Sequence, residues 1–180
     1  MNTLAAMICR HRSVITRAAL VGLLISGQVQ ASGDDSPKTP TCPKGQAWDS
    51  KSKSCVSQQS GLTDPDLTHY AYALAKARRY DEALGVLDLL HNPHTAEALN
   101  YRGYATRKLG RTEEGIGYYL QAVALAPDYS LVREYLGEAY VIQGKMNEAR
   151  EQLRVIQTLC GRDCEEYQDL AHAINHATPL

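Results

Sequence analysis

Phenylalanine is missing from this 180-residue chain and tryptophan occurs once, so nearly all the ring area comes from eleven tyrosines. Every one of them lies between Tyr70 and Tyr167, which confines the aromatic surface to one stretch. A tyrosine pairs an apolar ring with a polar tip and suits surfaces that are half buried or that hold something. Charge of one sign is missing too: 19 basic side chains face 20 acidic ones. A basic footprint for nucleic acid is thereby excluded, as is an acidic solvating tail. Catalytic signatures are absent: there is no Gly-x-Ser-x-Gly, no phosphate-cradling glycine loop and no His-Glu-x-x-His. The paired carboxylates Glu113-Glu114 and Glu165-Glu166 are sequential, and helical neighbours point about 100° apart, so they share no proton site and read as solvated faces. No enzymatic step and no cofactor are expected.

The chain also lacks a comfortable membrane span. Its apolar run, Ala18 to Ile25, is too short to cross a bilayer. It follows Arg10, Arg12 and Arg17, with no acidic residue before Asp34, and precedes the small-x-small site Val29-Gln30-Ala31. That order is expected of a signal peptide over residues 1–31, cleaved after Ala31, with a retained anchor as the alternative. The expected cleavage site is followed by Ser32 and not by a cysteine, which argues against a lipid anchor. The expected location is periplasmic or secreted. Cys9 would leave with the signal, and four cysteines would remain as two close pairs, Cys42/Cys55 and Cys160/Cys164. An even number in an oxidising compartment implies disulfides. Of three connectivities, the local one costs least in chain entropy.

Residues 32–41 read as a Pro/Ser/Gly linker, with a second polar joint at 58–63. Between them, residues 42–57 read as a small hairpin: Gln46 to Trp48 against Ser54 to Val56 across a turn at Asp49–Lys53. So small a unit has no core, and a Cys42–Cys55 bridge would hold it. It resembles a short Cys-Pro-x-Gly…Trp-Asp…Cys unit of secreted proteins, some of which bind glycans. That resemblance implies an alternative function, an envelope glycan-binding protein using this hairpin with the rest of the chain as a spacer. Against it stands Trp48 packing on its own disulfide or on the first helices.

From Leu62 to His176 the pattern is helical and repeats. Gly103 recurs as Gly137, Gly110 as Gly144 and Glu114 as Glu148, each 34 residues on. An earlier copy, Ala71, Glu82 and Ala83, runs 32 residues before Gly103, Glu114 and Gly115. Each copy reads as two helices: 66–77 with 80–90, 95–109 with 112–124, and 130–143 with 146–159. Pro93 and Pro127 end the second helices, and Gly110 and Gly144 suit the left-handed position after the first ones. A seventh helix, about 163–176, would close the array. Asp163 stands as its N-cap with Glu166 three residues on, and Tyr167, Leu170, Ala171 and Ile174 share one face.

This period resembles the tetratricopeptide repeat family. The third copy carries it best, with Leu136-Gly137, Tyr140, Ala149, Leu153 and Ile156. The second has Gly103, Tyr119, Ala122 and Pro127, and the first Tyr70-Ala71, Leu74, Tyr80, Ala83 and Leu87. Leu67, Leu99 and Arg133 hold the family's first large position. The resemblance covers roughly two-thirds of the chain. It implies an all-α, right-handed helical-hairpin solenoid of about three repeats (64–93, 95–128 and 130–161), with a capping helix over about 163–177. It also implies a concave groove, lined by the first helix of each pair, that binds a peptide or partner protein as a scaffold would. The groove residues so implied are Tyr72 and Lys76 with Thr68; Asn100, Tyr101, Tyr104, Arg107 and Lys108; and Glu134, Tyr135 and Glu138. The family's chaperone-tail binders use a set of Lys, Asn and Arg that the first and third copies lack. Stacking of arrays into a homo-oligomer is a further possibility, since neither end is fully polar.

Two sharper readings of Cys160-Gly-Arg-Asp-Cys164 stand behind a plain disulfide, zinc on geometry and a redox dithiol on spacing. A zinc site with His172 and His176 would need donors near 2.0–2.3 Å from one ion, yet His172 lies roughly 12 Å along a helix from Cys164. A redox dithiol would show Cys-x-x-Cys after a strand.

Overall fold

The computed structural model describes residues 39–57 and 61–177. The expected signal segment and most of the first linker lie outside the described residues. The described part opens with a hairpin, β1 (Gln46–Asp49) and β2 (Ser54–Ser57), paired antiparallel with Trp48 opposite Cys55. The turn closes because the Asp49 carboxylate accepts from the Lys51 and Ser52 amides at 2.9 and 3.1 Å. The Ser52 hydroxyl, and after it those amides, hold the Asp49 carboxyl below its usual range.

Seven α-helices follow: α1 (Asp64–Lys76), α2 (Tyr80–Leu87), α3 (Ala96–Lys108), α4 (Thr112–Leu125), α5 (Ser130–Ile142), α6 (Met146–Cys160) and α7 (Glu165–Asn175). They form three antiparallel pairs and a closing helix, an all-α helical-hairpin solenoid. Two expected limits move. Helix α2 stops at Leu87 rather than Leu90, and α7 begins after Cys164, which sits at the N-cap without a side-chain cap bond. Asp163 therefore does not cap. The Cys160–Cys164 bridge occupies that turn, and Glu166 accepts from the Ser130 hydroxyl of α5 instead, at 3.0 Å.

The turn inside each pair is the same object three times. The amides of Arg79, Arg111 and Lys145 reach back to the carbonyls of Leu74, Thr106 and Tyr140 at 2.9, 3.2 and 2.9 Å. This six-residue closure needs a left-handed residue just before the donor. Gly110 and Gly144 supply it with φ of 86° and 70°. In the first pair the position is held by Arg78, at φ 62°, which nothing in the sequence pattern marks. A side chain there carries a penalty that glycine avoids. Arg78→Gly is therefore expected to stabilise the protein by about 0.5–1 kcal/mol, read as a rise of a few degrees in Tm.

Within a pair, the helices meet through small residues. A Cβ on Gly103 would lie 2.6 Å from Tyr119 Cε1, and one on Gly115 would lie 2.9 Å from the Gly103 carbonyl. Gly137 plays the same part toward the closing helix, where a Cβ would meet Leu170 at 2.4 Å. Two apolar clusters result. One joins α1, α2 and α3 around Leu67, Leu74, Leu87 and Ala105, and the other joins α3, α4 and α5 around Ile116, Tyr119, Val132 and Leu136. The hairpin belongs to the first cluster: Ala47 is buried in it, and Trp48 packs half-buried against it. The bridge Cys42–Cys55 closes the hairpin with Cα atoms 5.5 Å apart. Ahead of it, the Pro40 carbonyl accepts from the Tyr70 hydroxyl at 2.6 Å, and Arg79 bonds the Thr39 carbonyl. Among the described residues no helix is long and apolar enough to cross a membrane.

Candidate functional site

Helices α1, α3, α5 and α7 stand side by side, because each first helix packs against the next, and their shared face forms a cleft of about 370 Å³. Its lining is Tyr72 and Lys76 from α1, Tyr104 and Lys108 from α3, Leu131, Glu134, Tyr135 and Glu138 from α5, and Glu165, Glu166 and Asp169 from α7. Seven of the eleven residues expected in the groove are brought together there. The floor is a run of tyrosines. Tyr104 and Tyr135 have ring centroids 5.0 Å apart, and Tyr72 stacks on Tyr101 at 4.7 Å. Cations lie over these rings: Lys76 Nζ is 5.8 Å from the Tyr72 centroid and Lys108 Nζ is 5.3 Å from that of Tyr104.

The other four expected groove residues lie beneath the surface. Asn100 is fully buried and donates to the Tyr129 hydroxyl at 3.4 Å, and Tyr101 is buried between α1 and α3. Arg107, only 5% exposed, donates through Nη2 to Glu138 at 2.6 Å and through Nε to the Tyr119 hydroxyl at 3.3 Å. Burial works against its charge, but Tyr119 and Glu138 outweigh it and keep the guanidinium protonated. The physical reason for the correction is register. A helix in a stacked array buries two of its sides, so only the turns carrying residues 72, 76, 104, 108, 134, 135 and 138 face the cleft. Arg107 thus holds Glu138 in place from below. Thr68, which stands in α1 where Asn100 stands in α3, is also buried.

Glu165-Glu166, expected as a solvated pair, instead walls the far end of the cleft together with Asp169. A signal was present in the sequence: Leu170 follows Leu136 by 34 residues and is equally buried, so α7 continues the series of first helices and presents its own groove face. The result is a graded surface, basic at α1 and α3 and acidic at α5 and α7.

Glu134 is the unusual member. Its carboxyl is pushed up to about 8, first by burial and then by Glu138, Asp169, Glu166 and Glu165. Between an unfolded value near 4.5 and this folded value, the native state keeps a proton that the unfolded chain has released. Stability therefore falls as pH rises through that window and levels off above about 8. Glu134→Gln is expected to flatten that slope. Allowing for solvent access to the cleft, it should add on the order of 2 kcal/mol at pH 9, or about 6 °C in Tm, checked by thermal melts from pH 5 to pH 9.

Both bridges expected from the cysteine spacing are formed, Cys42–Cys55 and Cys160–Cys164. The sulfurs of the latter lie near a Glu166 carboxylate oxygen, while His172 and His176 stack on each other at 4.2 Å, away from them on the exposed side of α7.

Comparison with known proteins agrees with this geometry. A profile of the tetratricopeptide repeat matches residues 71–130 and 107–163. Among curated proteins none matches the chain. Of solved structures, the first TPR domain of the human RPAP3 protein is similar at 20% identity and a TM-score of 0.51, over 61% of this chain and 90% of that one. The second TPR domain of human RPAP3, in complex with the HSP70 peptide SGPTIEEVD, is similar at 21% identity and a TM-score of 0.50, over 59% of this chain and 91% of that one. At such identities the structures speak for the fold. The helix pairs, the repeated left-handed turns and the profile spanning the first helix of one pair to the end of the last converge on one conclusion: the chain belongs to the tetratricopeptide repeat family.

Proposed function

We propose that this protein is a non-enzymatic binding module of the cell envelope that holds a peptide or a segment of a partner protein in the cleft of α1, α3, α5 and α7. The observation that carries it is the row of half-buried Tyr72 and Tyr104 with buried Tyr135, flanked by exposed Lys76 and Lys108 on one side and carboxylates on the other. Tyrosine rings offer contact area at low entropic cost and dominate binding surfaces of this kind. The RPAP3 domain in complex with a peptide is a fold-level analogy for such use. Envelope location is supported by the basic and apolar order of residues 10–31 and by the pairing of all four later cysteines. The glycan reading has less support, since Trp48 packs half-buried against the first cluster.

A photoreactive residue placed at Tyr104 in intact cells tests the module. It should crosslink a discrete partner, and a control at exposed Leu125, on the second helix of its pair, should not. Equal labelling from both positions would defeat the groove reading. Sequencing of the mature N-terminus should begin at Ser32, and a mature chain that retains Met1 would defeat the exported reading.

A further inference from the structure

The repeat places Thr68, Asn100 and Glu134 at the same turn of successive first helices, so the third pair alone puts a carboxyl at this position. Glu134 is 4% exposed and lines the cleft, and its carboxyl makes no hydrogen bond or ion pair with any described residue. A buried carboxyl without a partner is costly. The charges that act on it most are acidic: Glu138 from α5, and Asp169, Glu166 and Glu165 from α7. Arg107 of α3 is committed to Glu138, the Ser130 hydroxyl to Glu166, and Lys108 lies over the Tyr104 ring. The site is therefore built for a positive charge that the described chain does not supply.

Geometry indicates what kind. Among the described residues, one set of three His, Cys, Asp or Glu donors comes within the span of a single ion, namely Cys160, Cys164 and Glu166, and its sulfurs are bridged to each other. The acids around Glu134 are spread along two helices, wider than one metal coordination shell. A cation on a flexible stem, with an apolar shaft to lie along Leu131 and Tyr135, matches that spread. The rings here already accept cations: the Arg107 guanidinium lies 5.8 and 5.9 Å from the centroids of Tyr104 and Tyr135.

We propose that the α5–α7 end of the groove is a subsite for an arginine or lysine side chain of the bound peptide, with Glu134 as its buried acceptor and Glu165 and Asp169 at its mouth. Lys76 and Lys108 receive an acidic residue of the same peptide, so opposite charges at the two ends fix its direction. The inference rests on the groove reading above. The HSP70 peptide SGPTIEEVD of the RPAP3 complex carries acidic residues and no basic one, so the ligand of this subsite differs in charge from that peptide.

The test is a positional-scanning library of N-acetylated, C-amidated octapeptides screened on the full disulfide-bonded chain. Wild type should select Arg or Lys at one register. Glu134→Gln should erase that selection and weaken the selected peptide at least tenfold, while Lys108→Ala relaxes only the acidic preference. Because Glu134→Gln is expected to stabilise the fold, its loss of binding cannot be charged to unfolding. Affinity for the basic peptide should also rise between pH 6 and pH 8, by up to about tenfold per unit, as the proton to be displaced becomes easier to remove. Peptides selected without a basic residue, or unaffected by Glu134→Gln, overturn the subsite and leave the groove standing. Failure to select any peptide, or binding indifferent to Tyr72→Ala and Tyr104→Ala, overturns both. Calorimetric binding of calcium chloride that disappears in Glu134→Gln would replace the proposed side chain with a metal ion.

Discussion

Replacing Gly115 with valine is expected to cost about 3 kcal/mol of stability, a fall of roughly 10 °C in Tm. The cause is contact with backbone rather than with an adaptable side chain. Any Cβ at 115 arrives 2.9 Å from the Gly103 carbonyl and 3.1 Å from Arg107 Cβ. Relief requires α3 and α4 to separate, which would loosen the packing of buried Tyr119 and Ile116 and pull Arg107 from its bond to Tyr119. Two other helical glycines predict the opposite sign. Gly85 in α2 and Gly117 in α4 have nothing within 4 Å of an added Cβ. Gly85→Ala and Gly117→Ala should each stabilise by about 0.5–1 kcal/mol through helix propensity alone. Chemical denaturation of the three variants checks the set. A Gly115→Val protein that melts like wild type would mean that α3 and α4 do not depend on this close approach.

Removing the Cys42–Cys55 bridge is expected to cost about 3 kcal/mol in the ordering of the hairpin, as its 13-residue separation implies. Two four-residue strands cannot hold themselves. Their remaining anchors are Ala47 in the first cluster and the bonds of Tyr70 and Arg79 to the chain before Cys42. The Cys42→Ser/Cys55→Ser variant should be clipped by trypsin at Lys51 or Lys53 under conditions that spare wild type, and hydrogen exchange should quicken along α1. The Cys160–Cys164 bridge spans only four residues and should matter less, about 1–2 kcal/mol, because α7 is also held by Leu170 against Gly137 and by Ser130. A hairpin that stays protected after its own bridge is removed would show that docking on α1, not the disulfide, orders it.

The architecture was legible in the sequence because packing repeats at a fixed interval. Gly103, Gly115 and Gly137 mark close approaches, and Gly110 and Gly144 mark left-handed turns, so period and chemistry agree. Arg78 escaped because the left-handed residue is read from glycine, and an arginine in that conformation leaves no compositional trace. The site was half legible. Resemblance named the helices that line the groove, but several residues on one helix share a turn, and sequence alone does not choose which side the neighbouring pair covers. Asn100, Tyr101 and Arg107 went to the covered side, and Tyr104 and Lys108 to the open one. The acidic wall of α7 escaped for a related reason: taken as a cap, that helix had no groove face to assign.

The lone indole has a use of its own. Trp48 sits on the hairpin against the first helix pair, whereas ten of the eleven tyrosines follow α1's first two turns and run through the array to Tyr167. Emission excited in the indole band alone therefore reports the docking of residues 42–57, while tyrosine emission and helical dichroism report the solenoid. Superimposed denaturation curves from the two signals would mean the hairpin and the array open as one cooperative unit. Curves that separate would give the free energy of undocking directly, without any label or substitution.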